Sequence, residues 1–304
     1  MAKELVLFDH DGGVDDYLST VLLMTMDHVQ PLGIVVTPAD CFIEAAVSAT
    51  RKILDLMGRS DLVVAESTVR GLHPFPRELR RDSYSVDALP ILNEQETVRT
   101  PFAAETGQEF MARVLREAPE PVTLLVTGPL TTVATALDLV PEIERKIKRI
   151  LWMGGALDVK GNVRDSGHDM SAEWNVYWDP IAATRVWASN IPIVLCPLDV
   201  TNTVPVTREL LKQLARQRRH PVSDFTGQCY ALVAHQPYYF WDVLTTAYLA
   251  RPEFYTLREC ETVVVTEKPS MGRTKIEARG RKIQAMATVD TNKFYSYILD
   301  AWKR

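Results

Sequence analysis

A short apolar run, Leu5 to Phe8, ends in Asp-His-Asp-Gly-Gly at residues 9–13 and passes at once into Asp15, Asp16 and a Leu-, Val-, Thr- and Met-rich segment, Tyr17 to Met26. The run has the length and composition of a buried strand, and the segment after it reads as a helix. Gly12 and Gly13 let the backbone turn sharply between them. Side chains two apart on a strand share a face, so Asp9 and Asp11 are expected to project one way and His10 the other. Four carboxylates within eight residues repel one another unless a cation lies between them, and hard oxygen ligands suit Ca²⁺ or Mg²⁺. Capping and the helix dipole account for Asp15 and Asp16. Asp9 and Asp11 are better explained by a site, because open α/β sheets bind ligands at the carboxyl ends of their strands.

The same strand-then-helix pattern repeats. Leu32 to Val36 and Leu62 to Ala65 read as strands around a helix from Phe42 to Met57, and Val122 to Val126, Ile150 to Met153 and Ile191 to Cys196 read as further strands. Alternation of this kind implies right-handed βαβ units and a mostly parallel sheet. Asp179-Pro180 has the form of an N-cap with proline at the first helical position. Helices are expected at Glu105 to Glu117, Thr207 to Gln217, Val222 to Ala234, from Asp242 to Ala250 and from Asn292 to Trp302. Glu261 to Thr266, Gly272 to Ala278 and Ile283 to Ala287 read as a small antiparallel extension near the C-terminus. Ser67 to Pro101, with four prolines and Arg77, Arg80 and Arg81, is a long excursion; Phe75, Tyr84, Leu89 and Ile91 anchor it, and the arginines are expected to face solvent. With no repeat and no flexible linker, residues 1–304 are expected to form one α/β domain.

A net charge of −5 argues against nucleic-acid binding through bulk charge. No apolar run approaches the roughly 18 residues that span a membrane, and the four apolar residues before Asp9 do not make a signal peptide. Cys41, Cys196, Cys229 and Cys260 have no paired spacing and read as reduced thiols of a cytoplasmic protein. His28, His73, His168, His220 and His235 have no spaced partner and read as surface or loop residues. Trp174 and Trp178 read as core, and Tyr238-Tyr239 is balanced between lid packing and a site role.

The chain resembles the nucleoside hydrolases, which cut the N-glycosidic bond of ribonucleosides. The residues that carry the resemblance are Asp9, Asp11, Asp15 and Asp16, the Thr-Gly-Pro-Leu turn at 127–130, Met-Gly-Gly at 153–155, Gly-Asn-Val at 161–163, Glu-x-Asn at 173–175 and the late Asp242. Asp-His-Asp-Gly at 9–12, Asp40 where other branches have asparagine, Glu-Trp-Asn-Val-Tyr-Trp-Asp-Pro at 173–180, Thr-Asn-Thr-Val-Pro-Val at 201–206 and Trp241, where other branches place histidine, resemble the purine-preferring branch. One departure is Leu79, which follows Pro74-Phe75-Pro76 where that branch has a second base-stacking tryptophan; Phe75 or Tyr84 are candidate substitutes.

The resemblance implies Ca²⁺ held by Asp11, Asp16, Asp242 and the backbone carbonyl of Thr127. It implies that Asp11 is also the base acting on a water held by the ion, and that Asp40 lies near the anomeric carbon. Asp15, Asn162, Glu173, Asn175 and Asp242 would bind ribose hydroxyls, and Trp241 would stack on the base. The implied substrate is a small purine ribonucleoside and the implied assembly a homodimer. Two rival readings remain: a haloacid-dehalogenase-type phosphohydrolase with Asp9 as nucleophile and Asp11 as acid, and a calcium-dependent nucleoside-binding protein without catalysis.

Overall fold

A computed structural model describes residues 3–73 and 75–304. Pro74 of the Pro-Phe-Pro motif lies outside the described residues. A nine-stranded sheet runs through the molecule in the order β3-β2-β1-β4-β5-β6-β9-β7-β8. The strands are β1 (Glu4–His10), β2 (Val29–Val36), β3 (Val64–Glu66), β4 (Val122–Val126), β5 (Ile147–Met153), β6 (Ile193–Cys196), β7 (Tyr255–Val264), β8 (Thr274–Ile276) and β9 (Arg281–Val289). Strands β1 to β6 and β9 are parallel along their pairings, whereas β7 runs antiparallel to both β9 and β8. The sheet is thus the expected mostly parallel α/β sheet with an antiparallel C-terminal extension.

Helices cover both faces, which is why the central strands are continuous apolar runs rather than alternating ones. Val6 and Phe8 of β1 pack into one core with helix α1 (Val14–Met24) and the helices Ile43–Leu56, Pro221–Leu232 and Thr291–Ala301. Leu5 and Leu7 pack into the other with Gly107–Glu117, Thr131–Leu139 and Pro180–Trp187. His10 continues the first face: it lies 3.1 Å from the Thr50 hydroxyl and edge-on to Tyr17. Asp179 caps Pro180–Trp187 by accepting from the Ala182 amide, as its place before a proline predicts.

The strand order reverses direction between β1 and β4. This switch point is where the crevice of a doubly wound sheet opens, because the crossovers from neighbouring strands leave to opposite faces. Asp9 pairs with Val126 in register, and the Thr127 amide donates to the Asp9 carbonyl, so the turns after β1 and β4 lie side by side. Gly12 adopts φ +81° in the first turn, where a Cβ would also meet Cys41 at 2.6 Å. Gly128 makes the second turn possible, since a Cβ there would lie 2.7 Å from Asp11 Cβ.

The excursion from 67 to 101 carries the short helices Arg77–Arg80 and Asp82–Asp87. Its arginines are not uniformly solvated: the Arg80 guanidinium lies over the Phe42 ring at 5.2 Å. His168 and His73 also depart from a surface role. His73 stacks on Tyr177 at 4.2 Å, and the buried His168 ring meets the edge of the same tyrosine.

Candidate active site

A cavity of about 480 Å³ opens at the switch point. Its wall includes Asp11 from the β1 turn, Asp16 from α1, Asp40 from the β2 turn, Thr127 from the β4 turn, Met153 at the end of β5 and Asp242 at the start of a late helix. Asn162 enters from the loop after β5, and Glu173 and Asn175 from the N-cap and first turn of the short helix Trp174–Trp178. Phe75, Leu79, Trp174, Tyr238 and Trp241 give the cavity an apolar side. Nine of the ten expected site residues therefore meet at one place, from segments spread over more than two hundred positions.

The tenth, Asp15, stands behind the wall. Its Oδ1 accepts the Tyr230 hydroxyl at 2.7 Å, and its Oδ2 accepts the amides of Asp242 and Val243 at 2.7 and 3.0 Å. Asp15 thus caps the helix that carries Asp242 and fixes where that carboxylate starts. Burial raises its pKa to about 7 against the pull of those three donors.

Asp9 also departs from expectation. The strand ends at His10, so alternation stops governing direction before Asp11. Asp9 remains 1% exposed inside the fold, accepting the Thr37 hydroxyl at 2.7 Å, and burial lifts its pKa to about 8. It is not part of the cavity wall, which removes the nucleophile required by the phosphohydrolase reading.

The acidic wall is held by specific donors. Asp16 Oδ2 accepts the Gly13 amide at 2.8 Å, and its Oδ1 accepts the Thr127 hydroxyl. Glu173 Oε1 accepts the Asn175 amide at 2.9 Å, and its Oε2 accepts the amides of Gly155 and Val176 at 2.9 and 3.3 Å. Asn162 Oδ1 accepts the Trp174 amide at 3.0 Å. Asn175 Nδ2 donates to the carbonyls of Thr127 at 2.8 Å and Met153 at 3.1 Å.

Burial pushes Asp11, Asp40 and Asp242 well above the usual carboxylate range, and neighbouring carboxylates push them further. Asp11 Oδ2 and Asp40 Oδ1 are buried without a hydrogen-bond partner among the described residues. Oxygen-only donors with unsatisfied lone pairs fit a hard divalent cation. The fit is one of donor chemistry: among the described residues, no three acidic, histidine or cysteine side chains are already gathered as a metal-ligating group.

On the apolar side, Phe75 packs against Trp174 and Trp178 at 4.9 and 5.2 Å. Trp178 is core, as expected, whereas Trp174 reaches the cavity. Tyr84 is 52% exposed and stacks on Phe42 instead, which leaves Phe75 beside Leu79 in the wall. Tyr238 meets Trp241 edge-on at 4.6 Å. Sequence reasoning missed Gln236, Arg164, Tyr230 and Thr37. They come from loops, helices or strand ends with no periodicity to mark them, and only Thr37, just past β2, stood at a position that could have signalled a role.

The profile of the inosine-uridine preferring nucleoside hydrolases matches residues 6–296. The chain belongs to that family. This nucleoside hydrolase is 45% identical to a crystal structure of an inosine-uridine preferring nucleoside hydrolase from Bacillus anthracis, with a TM-score of 0.96 and 99% of each chain covered. It is 33% identical to a pyrimidine-specific ribonucleoside hydrolase, RihA, from Citrobacter koseri, over 95% of this chain and 94% of that one. A purine-preferring ribonucleoside hydrolase from Gardnerella vaginalis shares the fold, with a TM-score of 0.83 at 23% identity and 99% and 98% of the two chains covered. The hydrolase is therefore an N-glycosidase of nucleosides, as its motifs predicted. The relatives above 30% identity are named as inosine-uridine preferring and pyrimidine-specific, so membership extends to the family and not to its purine branch. Among the described residues, no helix is long and apolar enough to cross a membrane.

Proposed function

We propose that this nucleoside hydrolase cleaves purine ribonucleosides, with inosine as a substrate, and seats the base against Trp241. What supports the reading is the composition of the base side of the cavity. Phe75, Trp174, Tyr238 and Trp241 offer aromatic surface, and no histidine lines the cavity among the described residues. A large flat base gains more from such a wall than a small one, and it must leave without a protein imidazole to protonate it.

In this reading Asn162, Glu173, Asn175 and Asp242 hold the ribose hydroxyls, with Asp15 fixing Asp242 from behind. Asp11, Asp16, Asp242 and the Thr127 carbonyl would hold Ca²⁺. When bound, the ion supplies positive charge that orders two hydroxyls and a water and eases loss of the water proton. Asp11 takes that proton. Asp40 faces the sugar carbon as the C–N bond breaks and favours the positive charge that develops there. Trp241 disperses charge on the departing purine by stacking, and its face attracts a base made cationic by a proton from solvent.

A panel of inosine, adenosine, guanosine, uridine and cytidine, read by absorbance of the released base, tests the preference. Higher kcat/KM on the purines is expected. Uridine or cytidine cleaved faster than inosine would overturn the purine reading and leave the reaction class standing.

A further inference from the structure

Asp11 stands just beyond the end of β1, so something other than the sheet sets where its carboxylate points. The ladder is used up before the turn. The Thr127 amide donates to the Asp9 carbonyl on one side, and the Thr37 amide donates to the His10 carbonyl at 2.7 Å on the other. The amides that follow Asp11 are left to side chains. Gly13 donates to Asp16 Oδ2 at 2.8 Å, and the buried Gly12 amide donates to His10 Nδ1 at 3.2 Å. A buried amide needs such an acceptor, and here it comes from a residue that is not part of the cavity wall.

His10 can do this in one form of its ring. An amide hydrogen aimed at Nδ1 requires that nitrogen to be bare, which puts the ring hydrogen on Nε2. Nε2 lies 3.1 Å from the Thr50 hydroxyl, whose own hydrogen is donated to the Ala46 carbonyl at 2.8 Å. Thr50 is therefore an acceptor for Nε2–H. The helix Ile43–Leu56, which carries Ala46 and Thr50, thus selects the tautomer that Gly12 needs. The ring is fully buried, tilted against Phe8 at 5.2 Å and edge-on to Tyr17 at 6.0 Å, so it has no second place to go.

The consequence falls on Asp11. A side-chain acceptor two residues before its donor amide closes a turn of the kind asparagine makes, with Nδ1 standing where the asparagine oxygen would be. Asp11 is the residue inside that turn. Gly12 at φ +81° and the bare Gly128 permit the turn, and the His10 bond selects it.

We infer that His10 is a positioning residue for Asp11: through the Gly12 amide it fixes the turn that aims the Asp11 carboxylate into the cavity. The inference rests on the reading of Asp11 as base and cation ligand given above. His10 itself touches neither substrate nor ion, and both of its ring nitrogens are already engaged.

Leucine and asparagine have nearly the same shape, so His10→Leu and His10→Asn open the same space and differ in the acceptor. Both are compared with the native protein and Asp11→Ala by melting, Ca²⁺ titration and inosine kinetics at saturating Ca²⁺. His10→Leu should bind Ca²⁺ more weakly and lower kcat by roughly tenfold to a hundredfold, the scale of a misplaced catalytic group. His10→Asn should regain most of both while melting no higher than His10→Leu, an inversion that a merely structural role would not give. Nitrogen NMR of the native protein should show His10 with Nδ1 bare and Nε2 protonated, with or without Ca²⁺. Equal kcat and Ca²⁺ affinity in the two variants would overturn the positioning role, as would a proton on Nδ1. If neither variant folds, Thr50→Val keeps the imidazole and removes the acceptor of Nε2–H. It should lower kcat and Ca²⁺ affinity severalfold, and native values there would overturn the role as well. An Asp11→Ala protein as active as the native one would instead overturn the reading of Asp11 on which the inference rests.

Discussion

The Asn175 side-chain amide donates to the Thr127 carbonyl oxygen at 2.8 Å, joining a proposed ribose ligand to a proposed cation ligand. The same amide also reaches the Met153 carbonyl, so the turns after β4 and β5 are held at one spacing by one side chain. Asn175→Ala leaves two carbonyls without that donor. Leaving buried polar groups unpaired costs about 1–3 kcal/mol. The variant should melt at a lower temperature, raise KM for inosine and weaken Ca²⁺ binding in a titration. An altered KM with unchanged Ca²⁺ affinity would separate the two roles and count against the coupling.

Gly128 lets the β4 turn approach Asp11. A methyl there would lie 2.7 Å from Asp11 Cβ and 3.0 Å from its Cγ. Gly128→Ala should displace Asp11 and cost roughly 1–3 kcal/mol in stability, the usual range for overpacking. Activity should fall further than stability predicts, because the displaced residue is the proposed base. Thermal melting and inosine kinetics on one preparation check both.

The strands of the sheet were legible because helices cover both faces, so β1, β4 and β5 stand out as apolar runs. Their edges were less so. β7 begins at Tyr255, six residues before the apolar stretch that marks it, because Leu257, Arg258 and Glu259 pair with β9 at the exposed side of the sheet. The helices within 77–87 carry too few apolar residues to show a period. In the site, acids at strand ends were visible because parallel sheets place ligands there. Asp9 was grouped with Asp11 because alternation was extended past the end of β1, where it no longer governs Asp11. Asp15 had the right neighbourhood but a role set by Tyr230, 215 positions away, which no local pattern announces.

Removal of the cation should be measurable without turnover. Buried carboxylates raised by burial and by one another disfavour the folded state when they ionise together, and Ca²⁺ would relieve that. Binding to the folded state alone adds about 2.7 kcal/mol at a hundredfold excess over Kd. Melting should rise with Ca²⁺ and fall with a chelator. No response of either melting or activity would remove the cation from the account.

Trp241 offers an indole face and no acidic proton, and Tyr238 holds it edge-on. Stacking on an aromatic is worth about 1–3 kcal/mol per base in nucleic-acid-binding proteins. Trp241→Ala should slow inosine strongly and p-nitrophenyl riboside hardly at all, because that leaving group needs no proton. Equal losses on the two would reduce Trp241 to a shaping role.

The most direct test is product formation from inosine by the native protein and by Asp11→Ala, each loaded with Ca²⁺ and each checked for a folded melting transition. The account predicts equimolar hypoxanthine and ribose from the native protein. Loss of a general base alone predicts a rate lower by roughly 10²- to 10⁴-fold in Asp11→Ala. A folded Asp11→Ala that releases ribose within tenfold of the native rate would contradict it.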